Sequence, residues 1–217
     1  MIFGDSAMSE DFHEEATAPE YGNLAALAED LIYRLPGCDD TMIRKTIRDV
    51  YRDFCRRTCV LRTRRKIDVV HGETDYAIRA VHPFCSIDTV TDVVLDGCRI
   101  DVDGYDFCGG DFIRLDRSML PSRHERPRVL DVTCIEIPNM GAEHATHHFI
   151  NRYGDAIVSG VLMRLMSMSG RAWSDEAQAA QNARLYENAL TEHRTKYHAG
   201  GNLSTGELNF IKQGVIL

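Results

Sequence analysis

The sequence predicts an α+β fold in which two N-terminal and two C-terminal helices flank an inserted, antiparallel β-rich region. Apolar residues recur at helical spacing near both ends of the 217-residue chain. Residues 59–141 are instead rich in Val, Ile, Thr and aromatic residues, broken by turn residues. A pair of helices buries an apolar face poorly, so we expect both pairs to form one small bundle.

Composition excludes several classes of protein. The hydrophobic share of 44% and the charged share of 27% are typical of globular proteins. No apolar run approaches the roughly 20 residues that a membrane span needs, so we expect no membrane partner. Seven cysteines without a CxxC pair favour free, mostly buried thiols in a reducing compartment.

Charge is unevenly distributed along the chain. The net charge of -8 argues against a general nucleic-acid binder. Residues 1–20 hold six acidic residues and no Lys or Arg, which predicts a flexible acidic arm over residues 1–21. Residues 41–66 hold ten Lys or Arg and two Asp. This basic stretch is either a site for an acidic partner or a solvated helix face with basic strand ends.

The first predicted helical segment covers residues 22–58. Leucines at 24, 27, 31 and 35 form one face of a short helix that ends at Pro36-Gly37. Asp39 or Asp40 can cap the second helix. Its apolar face comprises Ile43, Ile47, Val50, Tyr51 and Phe54, and its basic side comprises Arg44, Lys45, Arg48, Arg52 and Arg56.

The inserted region, residues 59–141, contains several predicted strands. They lie at 60–70, near 76–78, at 87–95, at 98–102, on both sides of Gly109-Gly110, and at 129–137. Asp96-Gly97 predicts a tight hairpin turn because both central residues of such a turn need positive φ. Residues 117–128 read as a loop. We expect this region to project from the helices as a separate contact surface.

Residues 142–199 form the second predicted helical segment. One helix runs from 145 to 168 and contains Gly154, Ser159 and Gly160, which permit close approach of another helix. Ser174 or Asp175 caps the last helix, which runs to about residue 197. Residues 200–217 form a predicted docking tail with apolar residues at Phe210, Ile211, Val215, Ile216 and Leu217.

Candidate chemistry is sparse. His144, His147 and His148 resemble part of a metal site, but no HExxH pattern completes it. Asp101, Asp103 and Asp106 lack the later glutamate of a calcium loop. Neither a phosphate loop nor a GxSxG nucleophile elbow is present. We therefore predict a non-enzymatic protein with no catalytic, cofactor-binding or metal-binding residues.

Four segments together resemble the head–tail adaptor (connector, or tail tubular protein A-like) proteins of tailed bacteriophages. They are Phe54–Thr58 (FCRRT), Gly72–Ile78 (GETDYAI), Leu95-Asp96-Gly97 and Trp173–Ala180 (WSDEAQAA), the last followed by a helix with a YxxxL pattern. The resemblance covers residues 22–198. The acidic arm is a departure from the shorter family pattern.

This resemblance implies a structural role in the neck of the virion. Family members form a homo-oligomeric ring, usually a dodecamer, that docks on the portal protein and meets the tail or the next connector. Double-stranded DNA passes through the ring lumen without specific recognition during genome ejection. The protein would be made in the host cytoplasm. The resemblance also implies that the C-terminal segment reaches the portal, which makes Phe210, Ile211, Val215, Ile216 and Leu217 the expected docking residues.

Two alternatives remain open from the residues. The first is another virion or host binding module in which the Arg-rich helix, residues 41–57, contacts an acidic partner through Arg44, Lys45, Arg48 and Arg52. These four residues are also candidates for a subunit contact. The second alternative is a metal-dependent enzyme that uses the three histidines.

Overall fold

The computed structural model describes residues 20–198 and 210–212, and it has the predicted α+β class. The helices are α1 (Ala26–Arg34), α2 (Asp40–Thr58), α3 (His147–Met166) and α4 (Glu176–His198). The strands are β1 (Tyr21–Asn23), β2 (Arg62–Val69), β3 (Asp75–Ala77), β4 (Cys85–Leu95), β5 (Cys98–Arg99), β6 (Tyr105–Phe107), β7 (Phe112–Leu115), β8 (Arg128–Pro138), β9 (His144–Thr146) and β10 (Phe210–Lys212). Within the described residues, no helix is long and apolar enough to cross a membrane.

Polar side chains cap the starts of α2 and α4. Asp39 Oδ1 accepts hydrogen bonds from the backbone N–H groups of Thr41 and Met42, at 2.7 and 3.3 Å, and so caps α2. Asp175 Oδ1 caps α4 by accepting from Gln178 N at 2.9 Å. The sequence left two candidate caps at each start, and the structure selects Asp39 and Asp175. The helix α2 ends at Thr58 and is followed by Cys59, whose φ of 54° is left-handed.

Two predicted boundaries are wrong at a short strand pair. Residue 21 was assigned to the arm and residue 145 to a helix, but β1 and β9 pair antiparallel with Tyr21 opposite Thr146. The helix α3 therefore begins at His147, with the Thr146 side chain as its cap. Three-residue strands are too short to show a period, and their pairing depends on residues far apart in the chain.

The helices enclose one apolar core. Buried side chains from α1, α2, α3 and α4 belong to the same cluster, which includes Leu31, Phe54, Phe149, Leu165 and Tyr186. Gly160 permits close packing at its centre, as the sequence predicted. A Cβ atom on Gly160 would lie 2.6 Å from Val50 Cγ1 and 3.0 Å from Tyr186 Cδ2.

The β-rich region consists of two sheets over a second core. One sheet has the order β10-β2-β8-β4-β5, and the other has the order β3-β7-β6. All pairings are antiparallel except that of β10 with β2. Val69, Ile78, Ile113, Leu130 and Val132 are among the buried residues between the sheets. Both predicted hairpins, at Asp96-Gly97 and around Gly109-Gly110, are present.

The central strand β8 also contacts the helices. It lies between β2 and β4, and every residue from Val132 to Pro138 is buried. Because both faces of this part of β8 are buried, apolar and polar residues do not alternate clearly along it. Because α2 packs against β8, the expectation that the β region projects as a separate surface is wrong for this strand.

The seven cysteines are free thiols with different exposures. Cys55 and Cys134 are buried, three others are half-buried, and Cys98 and Cys108 are exposed, so the prediction of mostly buried thiols is wrong. Cys98 lies at the start of β5 and Cys108 in the β6–β7 turn, where few atoms cover them. Burial raises the pKa of Cys85 and of Cys134 to about 12.

Candidate docking surfaces

The basic side of α2 is only partly available to a partner. Arg44 Nε lies 2.7 Å from Asp40 Oδ2, one helical turn earlier. Arg48 Nη1 lies 2.7 Å from Glu143 Oε1, which precedes β9. Lys45 and Arg52 have no ion pair within the described residues. The structure thus divides the four predicted contact residues into two that are paired internally and two that remain available.

Further cations of the basic stretch are also paired internally. Arg57 forms a bidentate bond to Glu187 of α4, at 2.9 and 2.8 Å. Asp53 accepts a hydrogen bond from the hydroxyl of Tyr186 at 3.0 Å and lies 3.4 Å from Arg164 Nη2 of α3. These contacts connect α2, α3 and α4 at one edge of the helical core. The clustering of charge between residues 41 and 66 therefore reflects packing as well as a possible partner site.

The C-terminal strand β10 pairs with the edge of the larger sheet. Phe210, Ile211 and Lys212 lie opposite Arg64, Arg65 and Lys66 in parallel register. The other side of β2 pairs with β8 along its whole length, from Arg62 to Val69. The predicted docking residues Phe210 and Ile211 are thus placed at a sheet edge. Val215, Ile216 and Leu217 lie outside the described residues.

The three histidines do not converge. His144 stacks on Phe84, with ring centroids 5.6 Å apart. The His147 ring lies against Gly22 of β1, and His148 is exposed on the first turn of α3. Within residues 20–198 and 210–212, no group of three His, Cys, Asp or Glu side chains could hold a metal ion. This finding includes the predicted loop carboxylates Asp101, Asp103 and Asp106, which form no such group either.

A buried polar cluster was missed by sequence reasoning. Glu136 of β8 is fully buried. Its carboxylate accepts hydrogen bonds from Thr63 Oγ1 at 2.8 Å, Val81 N at 2.7 Å and His82 N at 3.0 Å. Arg65 Nη2 lies 4.0 Å from the same carboxylate. The cluster holds the β3–β4 loop on the sheet.

Electrostatics in this cluster favour a neutral histidine. His82 Nδ1 lies 3.7 Å from Glu136 Oε2. Burial lowers the pKa of His82 below its ordinary value; Glu136 opposes this effect and Arg65 reinforces it. A single Glu in an apolar strand gives no indication of this role in the sequence, because its partners come from two other segments.

A second missed feature is an exposed apolar patch beside β9. Phe84 is 56% exposed and has a φ of 64°, a left-handed conformation that is unfavourable for an aromatic residue. Its carbonyl accepts a hydrogen bond from Asn139 N at 2.8 Å. Met140, in the same turn as Asn139, is 82% exposed. The exposure of both side chains and the left-handed backbone of Phe84 are visible only in three dimensions, so nothing in the sequence indicated this patch.

Comparisons with known proteins add no family assignment. No protein-family model matches the chain, and no curated protein is significantly similar to it in sequence.

Proposed function

We propose that this protein is a structural head–tail adaptor of a tailed bacteriophage. In this proposal the helices act as one small bundle carrying the inserted β region, and copies of the chain form a ring of twelve, the usual number in the family that the sequence resembles. The ring docks on the portal protein and connects the DNA-filled head to the tail or the next connector. Double-stranded DNA passes through its lumen.

The positions of the resembling segments support this proposal. Phe54–Thr58 is the last turn of α2, and Leu95-Asp96-Gly97 is the turn from β4 to β5. Gly72–Ile78 leads into β3, and Trp173–Ala180 leads into α4. Each segment therefore lies at a junction between elements, where a family-specific pattern has a structural reason to exist.

The observation that carries the proposal is the position of the C-terminal segment. The strand β10 joins the body by pairing with a sheet edge, and eleven residues, 199–209, separate it from the end of α4. A segment joined in this way can place the residues that follow it against another protein. Strand addition and helix-in-groove binding are both available to such a tail.

The test uses the portal protein encoded in the same genome. We expect the purified protein to co-sediment with that portal as a defined ring. The triple variant Val215→Asp, Ile216→Asp, Leu217→Asp should lose this association while keeping its far-UV circular dichroism spectrum, because the apolar docking residues are replaced and 210–212 are kept. The variant Thr205→Asp is the matched control and should bind normally. Absence of any portal association by the unmodified protein would reject the adaptor function.

Deletion of residues 202–217 should likewise leave the body folded and prevent docking. The helical core and the core between the sheets are built from residues of the body alone. Normal docking of the deleted protein would show that the tail has no part in portal binding.

A second function is favoured by one observation: Lys45 and Arg52 have no ion pair in the part of the chain that the structure describes. In this alternative, another virion or host module binds an acidic partner through α2. The double variant Lys45→Gln, Arg52→Gln would then lose partner binding. The adaptor function predicts normal portal docking by this variant unless the two residues form a subunit contact. A metal-dependent enzyme is not favoured by any geometry among the described residues.

A further inference from the structure

The edge of β2 is an unusual surface in this molecule. The strand has eight residues, and β8 pairs with all of them on one side. On the other side β10 pairs with only Arg64, Arg65 and Lys66. Strands in proteins usually have about 5–6 residues, so the three-residue contact is short. Within residues 20–198 and 210–212, the rest of β2 has no strand partner on this side.

The charge of β2 restricts what can pair with it. The strand carries four cations, Arg62, Arg64, Arg65 and Lys66. Charged residues on an edge strand oppose its pairing with an identical edge, because like charges would face one another. Two β2 edges are therefore poor partners. The C-terminal strand contains a single cation, Lys212, and does pair.

The reach of the connection permits a second arrangement of the same pairing. Residues 199–209 lie between α4 and β10. At no more than about 3.6 Å per residue, these eleven residues and their flanking bonds span up to roughly 40 Å. A tail can therefore reach the β2 edge of a neighbouring copy. Exchange of an identical element between copies keeps the same contacts, which makes it an accessible route to oligomers.

We propose that the β2 edge is an intermolecular strand-acceptor site, occupied in the assembled protein by residues 210–212 of a neighbouring copy. The isolated chain closes the edge with its own strand, and subunits exchange strands head-to-tail when they assemble. This inference rests on the proposed homo-oligomeric ring, and it gives the ring a specific subunit contact. The exchanged strand would also determine where residues 213–217 leave each subunit.

The experiment uses a disulfide across the pairing. Lys66 and Lys212 are opposite one another, and the Cα separation of neighbouring strands suits a disulfide. The double variant Lys66→Cys, Lys212→Cys is made with Cys98→Ser and Cys108→Ser, which remove the exposed native thiols. The full chain is oxidised over a wide range of concentrations, alone and with the portal. Products are separated on a denaturing gel without reductant.

Strand exchange predicts covalent chains of linked copies, in a fraction that rises with protein concentration and is largest on the portal. Bands of single copies at all concentrations, whether or not they contain an internal disulfide, would overturn the inference. The portal-binding result is scored separately by sedimentation. If rings form on the portal without covalent linkage of copies, the inference fails and the adaptor function stands.

A backbone variant tests the same pairing without cysteines. The double variant Ile211→Pro, Lys212→Pro removes consecutive N–H donors, one of which must face β2 in a parallel pair. We expect loss of self-association by at least tenfold, measured by sedimentation velocity, with unchanged circular dichroism. The control Asn202→Pro, Leu203→Pro should associate normally. Unchanged association of the 211/212 variant would also overturn the inference.

Discussion

At the scale of single residues, Glu136 shows how a buried charge can organise a loop. It is fully buried and accepts three hydrogen bonds, two of them from backbone N–H groups of the β3–β4 loop. Buried carboxylates persist in proteins when hydrogen bonds and a nearby cation compensate for lost hydration. Arg65 is the nearby cation, with its Nη2 atom 4.0 Å from the carboxylate.

Replacement of Glu136 by Gln should therefore destabilise the fold. A side-chain amide has one acceptor oxygen, so at least one of the donors at Thr63, Val81 and His82 would lose its partner. Loss of such a buried partner costs about 1–3 kcal/mol. Urea unfolding measures the change. The exposed Glu73→Gln variant is the control and should shift by less than about 0.5 kcal/mol; equal shifts for both variants would contradict this role of Glu136.

The lowered pKa of His82 predicts a pH dependence of stability. The ordinary pKa of histidine is about 6.5, and burial lowers it in the folded protein. Well above pH 6.5, His82 is neutral in both the folded and the unfolded state and contributes no pH dependence. As the pH falls below 6.5, the unfolded chain binds the proton first, so the free energy of unfolding decreases until the folded pKa is reached.

The slope from this one group is at most about 1.4 kcal/mol per pH unit. We expect the His82→Gln variant to lose less stability than the unmodified protein between pH 7.5 and 5.5, measured by urea unfolding at each pH. The exposed His124→Gln variant serves as the comparison. If the decrease is the same in the His82→Gln variant, His82 is not the group that titrates.

At the scale of elements, close approach of α3 to its neighbours depends on Gly160. Overpacking a core costs about 1–3 kcal/mol, and a Cβ at this position would meet both Val50 and Tyr186. Gly160→Ala should therefore lower the midpoint of thermal unfolding, although alanine is better than glycine in a helix by about 1 kcal/mol.

Gly154→Ala is the matched control in the same helix. A Cβ there would lie 3.3 Å from Leu27 Cδ2, the end of a movable side chain. We expect this variant to be neutral or slightly stabilised. A Gly160→Ala protein as stable as the Gly154→Ala protein would mean that α3 can move away from α2 and α4 at little cost.

At the scale of the whole molecule, the helical and β-rich parts share a boundary. The strand β8 is buried on both sides and α2 packs against it. The helical core includes Leu61, which precedes β2. Cys85, at the start of β4, packs against the same core. The inserted region is therefore attached by packing as well as by its two chain connections.

This shared boundary predicts cooperative unfolding. Fluorescence of Trp173, which lies between α3 and α4 and packs against the helical core, reports the helices. Near-ultraviolet circular dichroism of the tyrosines reports both regions. We expect both probes to give the same urea midpoint, since an all-or-none transition has one midpoint. Two distinct midpoints would show that the β-rich region unfolds independently.

The sequence alone was sufficient for the α+β class, for the apolar face of α2 and for the two hairpins. These features depend on local period and turn chemistry, which neighbouring residues specify. It was also sufficient to identify a docking tail as a hypothesis. The sequence could not predict the pairing of β1 with β9 or of β10 with β2. Backbone pairing between short strands that are far apart in the chain leaves no periodic pattern in the sequence.

For the candidate sites too, the sequence predicted some features and only the tertiary structure revealed others. Sequence identified the cations of α2, and the spacing of Asp40 and Arg44 within one helix suits an ion pair. Only the tertiary structure decided that Arg48 pairs with Glu143, whereas Lys45 and Arg52 have no ion pair among the described residues. Glu136 became a structural centre because three separate segments meet around it. Local patterning determined which elements form, and long-range packing decided which polar groups they satisfy and which sheet edge, that of β2, the C-terminal strand pairs with.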